Sequence, residues 1–143
     1  MSAPSPQISP QLEGELVVAA RKASPAEACG VLIRTKGGEL AALDVPNRSP
    51  HQGHYLLDPQ DVARALRGRP MIGTWHSHPR GEAYPSSCDK QGAWEGSLVL
   101  ILGLAGRDVE VTFGLWLLQD GVFQLLERHM TGCPPENAPS PAG

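Results

Sequence analysis

Two histidines two residues apart, His76 and His78, stand in the run Gly73-Thr74-Trp75-His76-Ser77-His78-Pro79. After the loop Arg80-Gly81-Glu82-Ala83-Tyr84-Pro85 come Ser86 and, three residues later, Asp89. Imidazole and carboxylate suit a divalent ion such as Zn2+. Three protein ligands leave a fourth position for water, as catalytic rather than structural zinc sites do. A strand repeats every two residues, so both imidazoles leave one face and can reach one ion at about 2.0–2.1 Å. Asp89, in the first turn of a following helix, can return as the third ligand. Water bound there is acidified towards a pKa of about 7. The chemistry also needs a base for the water's proton and a donor for the oxyanion. Ser86 is placed to be the donor. Glu27, at the head of the apolar run Ala28–Ile33, is the favoured base, and Glu82 in the loop is its rival.

The elements that must hold these residues follow from patterning. Ser9-Pro10 is a cap followed by proline at the first helical position, and Leu12, Leu16, Ala19 and Ala20 recur at helical spacing to about Lys22. Glu27–Ile33 and Glu39–Val45 form a hairpin about Lys36-Gly37-Gly38. Asp58-Pro59 opens a second helix, which runs through Val62, Ala63 and Leu66 and ends at Gly68. Met71–His78 is the third strand, with Ile72, Thr74, His76 and His78 on one face and Trp75 on the other. A helix from Ser86 or Ser87 to about Trp94 precedes the apolar, central strand Leu98–Leu104, and Val109–Leu118 and Val122–Met130 form a last hairpin about Gln119-Asp120-Gly121. Interleaved helices and hairpins predict one α/β domain, a mixed sheet with helices against it.

The totals exclude several classes. A chain of 143 residues can bury a core without disulfides or a structural metal. A net charge of −3 offers no bulk grip on nucleic acid or on an acidic membrane. The longest apolar run, Leu98–Leu102, is far below the roughly 20 residues of a membrane helix. Cys29, Cys88 and Cys133 form no disulfide framework, which fits a reducing, cytoplasmic setting. Proline-rich composition predicts disordered tails over 1–8 and 133–143, around a domain at 9–132.

Plainer readings stand beside the sharp ones. A lone His-x-His can be a surface feature of an edge strand. Ser86-x-x-Asp89 is also a capping pattern, a role compatible with catalysis. Glu27 could be a solvated residue after Pro25. Pro85-Ser86-Ser87-Cys88 suggests a zinc deaminase, but the required His-x-Glu and second cysteine are missing. Cys88 then reads as packing or as a thiol near the metal, Cys29 as core, His51 and His54 as a solvated loop, and His129 as surface. Trp75 should pack beneath the site, with Ser77 as hydrogen-bonding support. Arg64, Arg67 and Arg69 read as a solvated helix face.

Taken together, Glu27-Ala28-Cys29-Gly30, the stretch Asn47…Tyr55…Asp58-Pro59, and His76-Ser77-His78-Pro79 through Pro85-Ser86-Ser87-Cys88-Asp89 resemble the JAMM (MPN-plus) zinc metalloproteases. The resemblance implies a mixed, curved sheet flanked by helices, akin to cytidine deaminases. It implies Zn2+ on His76, His78 and Asp89, Glu27 as general base and acid, and Ser86 as oxyanion donor. It further implies hydrolysis after the C-terminal Gly-Gly of a ubiquitin-like protein. Asp89 is followed almost at once by the Leu98 strand, which leaves no room for ubiquitin-gripping insertions. The chain thus resembles the compact, stand-alone prokaryotic type, whose substrates are ubiquitin-like sulfur carriers or small protein modifiers, cleaved at an isopeptide or a linear bond. A monomer or homodimer, with no nucleic acid or membrane partner, is expected. The alternatives are a non-catalytic MPN-type binding module and a metal-dependent hydrolase of a small amide.

Overall fold

The computed structural model describes residues 7–51, 53–86, 89, 92–104 and 110–131. Among them the order is α1 (Pro10–Ala23), β1 (Cys29–Arg34), β2 (Leu40–Val45), α2 (Pro59–Leu66), β3 (Gly73–His78), β4 (Leu98–Gly103), β5 (Val111–Gln119) and β6 (Val122–Thr131). The strands form one six-stranded sheet in the order β2-β1-β3-β4-β5-β6. Only β3 and β4 run parallel; the other neighbours are antiparallel. This is the mixed sheet of an α/β domain that the patterning predicts, and Leu98–Gly103 is central, as its unbroken apolarity requires.

Local chemistry explains the helices. Ser9 Oγ accepts from the Leu12 N–H at 3.1 Å, and Pro10 occupies the first turn of α1, where its missing N–H costs nothing. Leu12, Leu16 and Ala20, four apart, are the buried stripe. They pack on Leu32, Trp75, Leu100, Phe113 and Leu115, which leave one face of the sheet. Val99, Ile101 and Trp116 leave the opposite face and cluster with Ala83. Ile8, expected in the disordered N-terminal tail, is instead 6% exposed in the first cluster, and its N–H donates to Glu127. The apolar side chain and this bond to β6 extend the packed region before the cap. Residues 133–143 and residues 105–109 lie outside the described residues. So do 87, 88, 90 and 91 of the helix expected over 86–94; Asp89 and Gly92 are helical and Trp94 is not.

Asp58 caps α2 by accepting from the Gln60 and Asp61 N–H groups. Its buried face does not follow apolarity. Ala63 is exposed, Val62 and Leu66 are half-buried, and Asp61 is 5% exposed. A buried carboxylate persists only when paired. Arg48 meets it at 2.7 and 3.2 Å and Arg64 at 2.7 Å, so Arg64 belongs to an ion pair rather than to a merely solvated face. The Arg48 pair ties the loop after β2 onto α2.

Trp75 needs a gap in the strand beside it. Its indole crosses Gly30 and donates to the Leu43 carbonyl at 3.1 Å. A Cβ on Gly30 would lie 1.9 Å from that oxygen and 2.3 Å from Trp75 Nε1. Gly30→Ala should therefore break the bond and cost about 1–3 kcal/mol or more, read as a fall of several degrees in melting temperature. The Asp61 carboxyl is held below its ordinary value, chiefly by its hydrogen bond from Arg48 and despite partial desolvation. A lowered value contributes stability that is present above the ordinary carboxylate range and is lost as pH falls through the folded value. Asp61→Asn should lower stability at neutral pH and flatten the acid limb of the unfolding profile below about pH 4.

Candidate functional site

The site lies at the C-terminal end of β3. His76 is 0% exposed, in register with Cys29 of β1 and Ile101 of β4. Alternation carries His76 and His78 to one face and Ser77 to the other, and Ser77 makes the link to Glu27. Its N–H donates to the Ala28 carbonyl at 3.0 Å, and its Oγ accepts from the Ala28 N–H at 2.9 Å. Glu27, next in the chain, is thereby set beside the histidines and is 6% exposed. From the other side Asn47 Nδ2 donates to the Glu27 carbonyl at 2.9 Å and to the His54 carbonyl at 3.1 Å. Asn47 Oδ1 accepts from the Ser49 and Leu56 N–H groups. One amide thus fastens Glu27 and the 47–56 loop together.

Asp89 arrives through the 79–86 loop, which lies flat on the sheet. A Cβ on Gly103 would come within 2.6 Å of Glu82 and Ala83 backbone atoms, and one on Gly114 within 2.5 Å of the Ala83 carbonyl oxygen. Trp116 Nε1 donates to that same carbonyl at 3.0 Å. The Glu82 carbonyl is then 2.7 Å from His78 Nδ1. A carbonyl only accepts, so Nδ1 carries the proton and His78 Nε2 turns to the centre. At the far end the Ser86 N–H donates to Asp89 Oδ2 at 2.7 Å, and the Asp89 N–H to Ser86 Oγ at 3.3 Å, the reciprocal cap that the spacing predicts.

At the centre His76 Nε2 is 3.1 Å from His78 Nε2 and 2.9 Å from Asp89 Oδ1, and His78 Nε2 is 3.4 Å from Asp89 Oδ2. Ligands about 2.0–2.1 Å from a tetrahedral ion are about 3.3 Å apart, so the three side chains could hold one divalent cation. Two imidazoles and a carboxylate brought this close in a buried place are a donor set that suits such a cation. Glu27, His76 and His78 each offer a ligand atom within 4.8 Å of the others as well. Asp89 touches both histidines directly, however, which makes it rather than Glu27 the third candidate ligand.

The electrostatics follow burial and contact. Burial pushes the Glu27 carboxyl up to about 7; the His78 charge opposes this and the Asp89 charge adds to it. Burial would raise Asp89 too, but hydrogen bonds from His76 and His78 and the Ser86 N–H outweigh it and hold the carboxyl well below its usual range. Burial lowers His76. It would also lower His78, but Asp89, the Glu82 carbonyl and Glu27 keep that ring above its ordinary value. Tyr55 stacks on His76 with ring centroids 4.4 Å apart, and its phenol is pushed up to about 12, mainly by burial. Glu27, Gly53 and Ser86 form a common wall of two adjoining cavities of about 410 and 240 Å3.

All five residues picked from the sequence therefore meet at one place. Glu82, the rival base, is exposed and contributes its carbonyl instead. His129 is not a plain surface residue: it pairs with Glu13 of α1 and with Glu127, because β6 lies beside α1 there. Cys29 is buried, as expected. Cys88 lies outside the described residues. Asn47, Tyr55 and Trp116 carry supporting roles at the site, and Trp75 packs beneath it from the opposite face of β3. Asn47 and Tyr55 entered the reading only through the family resemblance; Gly103 and Gly114, unusual inside apolar strands, were the visible trace of the loop's approach.

Removing the Asn47 amide strands two carbonyls and two N–H groups. Asn47→Ala should cost about 1–3 kcal/mol of stability and lower kcat/KM more than KM changes, because Glu27 loses a fixed position. Thermal unfolding alongside steady-state kinetics checks both.

Residues 9–116 match the family model described as prokaryotic homologs of the JAB domain. Over 92 residues the chain is 35% identical to a desampylase of Haloferax volcanii; the match spans 58% of this chain and 66% of that protein. A solution structure of a protein from Desulfitobacterium hafniense superposes with a TM-score of 0.71 at 26% identity, covering 85% of this chain and 90% of that one. A Salinibacter ruber protein shares the fold at TM-score 0.57 and 22% identity, over 83% of this chain and 87% of that one. With its fold, its motif and most of its length accounted for in this way, the chain belongs to the prokaryotic homologs of the JAB domain, the branch of the JAMM family that its motif resembles.

Proposed function

We propose that this protein is a zinc-dependent isopeptidase or peptidase that cleaves after the C-terminal Gly-Gly of a ubiquitin-like or sulfur-carrier protein. The observation that carries this reading is the convergence of His76, His78 and Asp89 within 2.9–3.4 Å, beside a buried Glu27 whose carboxyl titrates near neutrality. Family membership supports the chemistry, and the relative named desampylase supports deconjugation of a protein modifier.

His76, His78 and Asp89 would hold the ion, each oriented from behind: His78 by the Glu82 carbonyl, Asp89 by the Ser86 N–H, His76 by stacking on Tyr55. A zinc ion there supplies Lewis acidity and brings a water's pKa towards about 7. Glu27 takes a proton from the attacking water. The water oxygen bonds to the glycine carbonyl carbon, and the Ser86 hydroxyl donates to the carbonyl oxygen as negative charge builds on it. The C–N bond then breaks, and Glu27 returns the proton to the departing amine. A pKa near 7 lets one carboxyl do both jobs at neutral pH. A tail of two glycines, binding extended, suits the narrow cleft.

Glu27→Gln should lower hydrolysis of a Gly-Gly fusion by about 10²- to 10⁴-fold with zinc content unchanged. Retained activity would remove Glu27 as the base. Chelation should abolish cleavage and added Zn2+ restore it. If the zinc-loaded wild type cuts no ubiquitin-like fusion, read by mass, the protease reading fails in favour of a binding module.

A further inference from the structure

Two lobes meet at Glu27 and Ser86, and they differ. The smaller, about 240 Å3, is walled by Tyr55, Leu56, Leu57, Thr74, Asp89 and Gly92, with the Tyr55 hydroxyl close over Gly92. So small a lobe, with Tyr55, Leu56 and Leu57 beside the polar Thr74 and Asp89, suits a tail without side chains. The larger lobe, about 410 Å3, is bounded by Pro25, His78, Pro79, Arg80 and Gly81. It has room for a residue with a side chain, and Arg80 is the only guanidinium in either wall among the described residues. Arg80 is exposed, and no ion pair or hydrogen bond engages its guanidinium among the described residues. By contrast Arg48 and Arg64 are committed to Asp61, Arg69 to the Ala65 and Leu66 carbonyls, and Arg128 to the Tyr84 ring. The Arg80 guanidinium, unengaged among the described residues, gives the mouth of that lobe a local preference for an anionic substrate group.

Resting on the peptidase reading above, we propose that the Arg80 lobe receives the leaving group, and that Arg80 selects leaving groups with a carboxylate next to the scissile nitrogen. That carboxylate is either the α-carboxylate of a single terminal residue or an acidic side chain. A lysine ε-amine in an isopeptide places its own α-carboxyl carbon several bonds away, so the assignment favours linear, acid-bearing adducts. Arg binds carboxylate in a planar fork that lysine cannot reproduce.

The test uses the zinc-loaded full chain and a ubiquitin-like domain ending Gly-Gly, extended by one alanine as the free acid, by alanine amide, or by aspartate amide. The wild type should cleave the free acid, the aspartate amide, or both, about 10- to 100-fold faster than alanine amide, the range of a charge-assisted hydrogen bond. Which of the two is preferred identifies the source of the carboxylate. Arg80→Gln should bring the acid-to-amide ratio near one, and Arg80→Lys should restore it in part. An unchanged melting temperature marks the effect as recognition. Equal rates on all three substrates, or a ratio unchanged by Arg80→Gln, would overturn the assignment while leaving the peptidase reading intact. No cleavage of any substrate overturns both.

Discussion

An indole N–H on β5 meets the Ala83 carbonyl at 3.0 Å, and the geometry of the centre depends on it. The histidines and Asp89 sit on separate elements, joined by a loop that could hang in solvent. It does not, because Gly103 and Gly114 leave the sheet bare where the loop crosses, and Trp116 holds it there. With the loop flat, the Glu82 carbonyl reaches His78 Nδ1 and the Ser86 cap delivers Asp89 to both rings. A side chain at either glycine would lift the loop by ångströms, and metal ligation tolerates only tenths.

The other half of the site is fixed by a comparable economy of contacts. Ser77, on the far face of β3, clasps Ala28 at both its N–H and its carbonyl, and Asn47 holds the next carbonyl back along the chain, that of Glu27. Glu27 thus stays buried with no Lys or Arg paired to it among the described residues. Its carboxyl rises to about 7 as a consequence of place rather than of any unusual chemistry of its own. A carboxyl poised near neutrality, Glu27, and a carboxylate held ionised, Asp89, stand beside the same two imidazoles. In the proposed mechanism these opposite shifts would divide the labour between proton transfer and ion binding.

Much of this was legible from residue order. Caps with proline at the first turn placed both helices, and period-two alternation placed His76, His78, Trp75 and Ser77 on their faces. The departures share a cause. On α2 the apolar Ala63 is exposed and Asp61 buried, because Arg48, thirteen residues upstream, pairs with the carboxylate and makes its burial possible. His129 and Ile8 were read as surface and tail, because neither residue's neighbours in the chain announce α1 and β6 lying side by side. Glu82 and Glu27 were both open as the base, and only burial separates them.

The amino-acid sequence by itself carried the family resemblance, and it determined the candidate ligand types, their common strand face and the Ser86–Asp89 cap, because each of these depends on spacings of two or three residues that backbone geometry converts directly into position. Tertiary structure alone decided that Glu27 rather than Glu82 faces the centre, that Asn47, Tyr55 and Trp116 orient it, and that Arg80 lines one lobe. Those facts arise from strand pairing and loop packing between segments tens of residues apart. Their energies depend on desolvation and on close approach, which no local pattern encodes.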